Sequence, residues 1–116
     1  METDESCLFC KIISGEVPAD KVAETDLALA FRDVNPQAPT HILVIPKRHV
    51  PTLPELAETH PESAMAVLTL ARKAAQDDGV GEGYRLVGNN GAAAQQTVFH
   101  AHVHVLGGRE FSWPPG

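Results

Sequence analysis

The sequence predicts an α+β domain: a mostly antiparallel five-stranded sheet with one long and one short helix. Three observations carry the prediction. Extended apolar segments cluster in the order strand, strand, strand, helix, strand, strand, instead of alternating with helices as a βαβ fold requires. One long stretch, residues 61–78, has helical periodicity. Near the carboxy end His100, His102 and His104 alternate with Ala101, Val103 and Val105, a strict period of two.

The 116 residues fit a single domain, and a hydrophobic share of 43% is enough for one core. Residues 1–6 are polar and expected to be disordered. Leu8, Phe9, Ile12 and Ile13 share a helical face, and Ser14-Gly15 ends this short helix. Its apolar residues are either plain core or one wall of a pocket. Pro18 forces an extended path. Residues 21–24 and 27–32 then read as a hairpin turning at Thr25-Asp26. Asp33-Val34-Asn35-Pro36 leaves the second strand as a turn. Asp33, at the mouth of a strand, either caps that turn or accepts two hydroxyl hydrogen bonds, as from a ribose diol.

Residues 41–46 are almost continuously apolar and β-branched, which marks a central strand covered on both faces and stopped by Pro46. Residues 51–60 read as a proline-containing connection. Thr59-His60-Pro61-Glu62 fits a capping box, and a helix follows to about Asp78. Its stripe is Ala64, Val67, Leu68, Ala71, Ala74 and Ala75, and Gly79 stops it. Residues 84–89 form a strand, 90–95 a loop of small residues, and 98–106 the histidine strand. Gly107-Gly108 breaks that strand, and 109–116 is a tail holding the only tryptophan, Trp113.

A net charge of −6 gives none of the basic footprint of a nucleic-acid binder. No apolar run approaches a membrane span, and the amino terminus is acidic, unlike a signal peptide. A cytoplasmic protein is expected, with no nucleic-acid or membrane partner.

Three imidazoles on one strand face offer a nucleophile, a proton donor or metal ligands. As a nucleophile toward phosphorus, an imidazole needs Nδ1 protonated and held by an acceptor, so that Nε2 is free to attack. His102, flanked on both sides, is best placed for this. Small residues at 91–94 let a loop approach, so that backbone N–H groups with Asn89 and Thr97 hold phosphate oxygens. The rival reading is a metal, but His100 and His104 lie about 13 Å apart along a straight strand and would not share one ion. Two of the three could bind with His41 or His49. Separately, Cys7 and Cys10 form a C-x-x-C, read as a metal knuckle, a redox pair or two small helix-start residues; with His49 and one triad histidine they make a Cys₂His₂ set.

Residues 31–33 with 36–47, and residues 96–109 with their H-x-H-x-H, resemble the two signatures of the histidine triad (HIT) superfamily. Trp113-Pro114-Pro115-Gly116 resembles the ending of its branch of histidine triad nucleotide-binding proteins. The resemblance implies the HIT fold, a homodimer with a sheet continued across the interface, and binding of purine nucleotides such as the nucleoside monophosphate. It also implies hydrolysis of purine nucleoside phosphoramidates through a nucleotidyl-histidine, with no cofactor required for catalysis. A dinucleoside polyphosphate hydrolase and a nucleotide-binding interaction module with incidental hydrolysis are the alternatives. By position, His102 is the nucleophile and His100 offers it a carbonyl. His104 and His41 complete the catalytic cluster. Asn89 and Thr97, with the adjoining Gln96, lie at the phosphate, and Asp33 at the ribose. Leu8, Phe9, Ile12, Phe31, Val34 and Leu43 line the base pocket, and Trp113 reaches toward the partner's site. Metal-binding relatives imply structural zinc at Cys7, Cys10, His49 and His100. Gln95 departs from the family pattern, which has glycine there, and puts a backbone contact to phosphate in doubt.

Overall fold

The computed structural model describes residues 2–116. Five strands, β1 (Lys21–Glu24), β2 (Ala28–Arg32), β3 (Thr40–Pro46), β4 (Tyr84–Val87) and β5 (Val103–Gly107), form one sheet in the order β1-β2-β3-β5-β4. Every neighbouring pair is antiparallel. The expected α+β class and mostly antiparallel sheet are therefore present.

Each face of the sheet is covered by a different helix. On one face lies α3 (Pro61–Asp77), whose Val67, Leu70, Ala71, Ala74 and Ala75 are buried against Ala28, Ala30, Ile42, Val44, Val103 and Val105. Alanines on both α3 and β2 let helix and sheet backbones approach closely. Val67 and Leu70 are almost wholly buried, and such side chains contribute about 1.5–3 kcal/mol each. On the other face lies α1 (Leu8–Ser14), which buries Phe9 and Ile12 against Leu29, Phe31, Leu43 and Ile45. This is why β2 and β3 lack a polar face. Alone, seven residues would not hold a helix. Cys7 Sγ accepts the Cys10 N–H at 3.4 Å, and Gly15, at φ 84°, returns its N–H to Ile12. Phe9 meets Phe31 edge to face with centroids 5.6 Å apart.

Four expectations change. The connection 51–60 contains a third helix, α2 (Leu53–Thr59), so the helices are two short and one long. Thr59 is not a cap: its hydroxyl donates back to the Glu55 carbonyl, and the N-cap of α3 is His60, which makes no side-chain cap bond. The T-x-x-E pattern also occurs one helix earlier, at Thr52-Leu53-Pro54-Glu55, and there the Thr52 hydroxyl does accept the Glu55 N–H. Pro61 cannot extend α2, so the chain breaks at His60 and restarts. The histidine strand is shorter than expected, β5 starting only at Val103. In the observed register Pro46 would face Ala101, and proline has no N–H for the ladder; Ala101 instead donates to the Val50 carbonyl. Residues 2–6, expected to be disordered, carry contacts to the loop after β3: His49 N–H donates to the Glu2 carbonyl, and Glu2 pairs with Arg48. Among the described residues, no helix is long and apolar enough to cross a membrane.

Candidate functional site

All three triad histidines project to the α1 side of the sheet, as period two requires, while Val103 and Val105 point to α3. His102 and His104 have ring centroids 5.2 Å apart, and Phe9 of α1 sits edge-on to both His100 and His102. Neighbouring acceptors and donors then give each ring a different state.

His102 Nδ1 lies 2.7 Å from the main-chain carbonyl of His100. A carbonyl can only accept, so the proton is on Nδ1 and Nε2 carries a free lone pair. This is the tautomer a nucleophile needs. His41 is fixed in the opposite sense. The Gln37 N–H donates to its Nδ1 at 3.0 Å, so its proton sits on Nε2, 2.9 Å from His104 Nδ1 and 3.4 Å from Asp33 Oδ2. Burial lowers the pKa of His41, against the pull of Asp33, and lowers that of His104 to about 4 with His102 and His41 adding to the effect. Both rings are neutral at pH 7. His41 therefore donates to His104, whose own proton is left on Nε2. Asp33, His41 and His104 lie close enough for a metal, but 2.9 Å between the two nitrogens is a hydrogen bond.

His100 is fully buried and turns away from the other two. Its Nε2–H donates to the Pro46 carbonyl at 2.8 Å, which aims the Nδ1 lone pair at Cys7 Sγ (3.5 Å), Cys10 Sγ (3.6 Å) and His49 Nδ1 (3.2 Å). Cys10 Sγ and His49 Nδ1 are 3.5 Å apart. Tetrahedral zinc, with bonds of about 2.3 Å to sulfur and about 2.0–2.1 Å to nitrogen, needs ligand separations of about 3.3–3.8 Å. The three sulfur–nitrogen separations fall in that range, the two histidine nitrogens lie just below it, and all four donor atoms are within 4.8 Å of one another; the Pro46 carbonyl fixes the ligating tautomer as such a site requires. Burial also pushes the Cys10 thiol up, a bias that a bound cation would reverse. The expected separation of His100 from His104 holds: they belong to different clusters.

Beside His102 and His104 lies a cavity of about 430 Å³. The expected base-pocket residues Leu8, Phe9, Ile12, Phe31, Val34 and Leu43 all line it, with Asp33, Asn89 and Thr97. It has an apolar wall from α1, β2 and β3 and a polar wall from the loop before the triad. A larger depression of about 730 Å³, beside Cys10 and Lys11, contains none of the histidines.

One expected contact residue is placed differently. Gln96 is buried, with Oε1 accepting the Gly91 N–H at 2.8 Å and Nε2 donating to Pro51 (2.7 Å) and Val98 (3.1 Å) carbonyls. Its amide is consumed in bracing the loop and has no group left for substrate. Trp113 does not line the cavity within this chain and is 83% exposed. The tail before it is held by Phe111 between Arg85 and Arg109 (4.8 and 4.2 Å). His41 joins His104 in the expected histidine cluster, hydrogen-bonded behind it and not itself lining the cavity. Asp33 caps its turn, Oδ1 accepting the Asn35 N–H at 2.8 Å, and also lines the cavity.

Sequence reasoning missed the backbone groups that set the tautomers, Gln37 N–H and Pro46 C=O, which carry no side-chain signal. It also missed Asp78, whose carboxylate takes Arg32 at 2.7 and 3.3 Å and the Thr40 hydroxyl at 2.6 Å. The neighbours of those two residues, Asp33 and His41, are thereby held together from behind. Gln95 adopts the left-handed region, φ 69° and ψ 29°, and also lines the cavity. That conformation costs a non-glycine residue about 1–2 kcal/mol, and its N–H goes to Ala92 at 3.0 Å.

A family model described as the HIT domain matches residues 14–111. Among curated proteins, an uncharacterised HIT-like protein of Synechocystis is 54% identical, covering 97% of this chain and 98% of its own. A 14 kDa zinc-binding protein of Zea mays is 47% identical, with coverage of 97% and 90%. Among solved structures, a HIT family hydrolase from Legionella pneumophila superposes with a TM-score of 0.90 at 50% identity, over 96% of this chain and 100% of that one. A histidine triad nucleotide-binding protein from Candida albicans gives 0.80 at 33% identity, over 96% and 85%.

Proposed function

Since this chain belongs to the HIT domain family, we propose that it is a nucleotidyl hydrolase of that family's nucleotide-binding branch, cleaving purine nucleoside 5′-phosphoramidates through a covalent intermediate on His102. The observation that carries the reading is the His102 tautomer: Nδ1–H held by the His100 carbonyl at 2.7 Å, Nε2 free, beside a cavity with one apolar and one polar wall.

In this reading the purine lies among Phe9, Ile12, Phe31 and Leu43, with Leu8 and Val34 at the rim, and Asp33 accepts the ribose hydroxyls. Asn89, Thr97 and the Nε2–H of His104 hold the phosphoryl oxygens as charge develops on them. His41 keeps that N–H in place by donating to His104 Nδ1. His102 Nε2 attacks phosphorus and the P–N bond breaks. The amine leaves with the electron pair and takes a proton from water at the cavity mouth; the hydroxide then cleaves the His102–phosphorus bond, releasing the nucleoside monophosphate. Splitting one displacement into two lowers each barrier.

Cys7, Cys10, His49 and His100 would hold a structural zinc, which supplies a cross-link between α1 and the triad strand and takes no part in the steps above. The protein works as a cytoplasmic homodimer, with Trp113 reaching the partner's cavity.

The test is rapid-quench mass spectrometry with an adenosine 5′-phosphoramidate. A chain carrying one added adenylyl group should be trapped in the wild type. His102→Ala should lose it, with turnover down by at least about 10³-fold while AMP still binds. Full activity of the variant would overturn the reading.

A further inference from the structure

We propose that Gln95 is a specificity-determining residue whose side-chain amide meets the leaving group, favouring groups that carry a hydrogen-bonding substituent such as the carboxylate or carboxamide of an amino acid. The inference rests on the nucleotidyl-transfer reading above.

Gln95 is the one non-glycine residue with positive φ among the described residues. Glycine would adopt this backbone without strain, so the fold gains nothing from a glutamine here. Strain of this kind persists where a side chain does something else useful. The glutamine is exposed and lines the same cavity as His102 and Thr97, among its polar residues. Gln96, beside it, is spent inside the loop, whereas no protein group takes up the Gln95 amide among the described residues.

The reaction geometry says what that amide meets. Attacking and leaving atoms lie in line through phosphorus. Of the lining residues His102 is buried and Gln95 exposed, so in-line departure carries the nitrogen away from the buried ring toward the exposed side of the cavity, to which Gln95 belongs. When the His102–phosphorus bond forms and the P–N bond breaks, the substituent on that nitrogen lies against the amide. A carboxamide offers both a donor and an acceptor, which a polar substituent can use and a plain alkyl chain cannot.

Two adenosine 5′-phosphoramidates separate the cases, one made with an alkylamine and one with an amino-acid amide of similar size. Wild type should favour the second in kcat/KM, and in Gln95→Gly that preference should fall about tenfold while Tm stays equal or rises. A purely structural glutamine would give a lower Tm and an unchanged preference, which overturns the proposal. Hydrolysis of both substrates with the same preference in the two proteins overturns it while leaving the parent reading intact. Failure of wild type to cleave either substrate removes both.

Discussion

His100 and His102 are joined by a main-chain hydrogen bond of 2.7 Å, yet their rings serve different clusters. The carbonyl of His100 holds the His102 ring, while its own ring is fixed by Pro46 and faces two cysteines. One residue thus ties the amino-terminal helix to the orientation of the His102 ring.

Metal binding should therefore govern stability more than chemistry. The purified protein should carry about one zinc per chain, and Cys7→Ser should lose it. Removal of the ion should lower Tm by at least about 10 °C, with kcat at 25 °C reduced by less than about fivefold. Metal analysis and calorimetry check this; a zinc-free protein with the same Tm would contradict it.

Asp33 should discriminate sugars. A carboxylate accepting both ribose hydroxyls loses one partner with a 2′-deoxynucleotide, worth about 1–2 kcal/mol for a charged acceptor. Wild type should bind AMP about tenfold more tightly than its 2′-deoxy form by titration calorimetry. Asp33→Ala should bind both equally.

His104 should make stability depend on pH. Its folded pKa, lowered to about 4 chiefly by burial, lies below the ordinary 6.5, so the unfolded chain binds the proton more tightly. The stabilisation is complete above about pH 6.5 and is lost as pH falls toward 4. Its share, discounted for partial exposure, is on the order of 1–2 kcal/mol. Urea melts at pH 7.5 and 4.5 should show His104→Asn losing less stability than wild type over that interval.

Gln96 should behave as a brace. Gln96→Ala strands Gly91 N–H and two carbonyls and should cost about 2–3 kcal/mol in urea melts. It should also lower kcat/KM, because the loop carrying Thr97 loosens. A variant with unchanged stability would mean that the amide is free for substrate.

What the sequence made legible was what has a period or a local rule. The alternation of His100, His102 and His104 placed three rings on one face, and the Ala64-to-Ala75 stripe placed α3. What it hid depends on partners far along the chain. The early end of β5 follows from Pro46 lying opposite Ala101. Thr52, whose hydroxyl caps a helix, and Thr59, whose hydroxyl does not, begin the same T-x-P-E pattern; they differ in that Thr59 is already the last residue of α2 and bonds back into it. Gln96 reads like a ligand beside Thr97, and only its inward rotamer reveals the brace. The lining of the cavity was legible through resemblance; periodicity alone left it as core or pocket.

The strand order β1-β2-β3-β5-β4 has a consequence for synthesis. β5, the last strand to leave the ribosome, fills the slot between β3 and β4, and it brings His100 to cysteines translated some ninety residues before it. A nascent chain stalled before residue 100 holds three helices, the β1-β2-β3 meander and a detached β4, with an open seam between β3 and β4. His102, the carbonyl that holds its ring and the His100 member of the Cys7–Cys10–His49 cluster all arrive with this segment, so neither cluster is complete before it is in place.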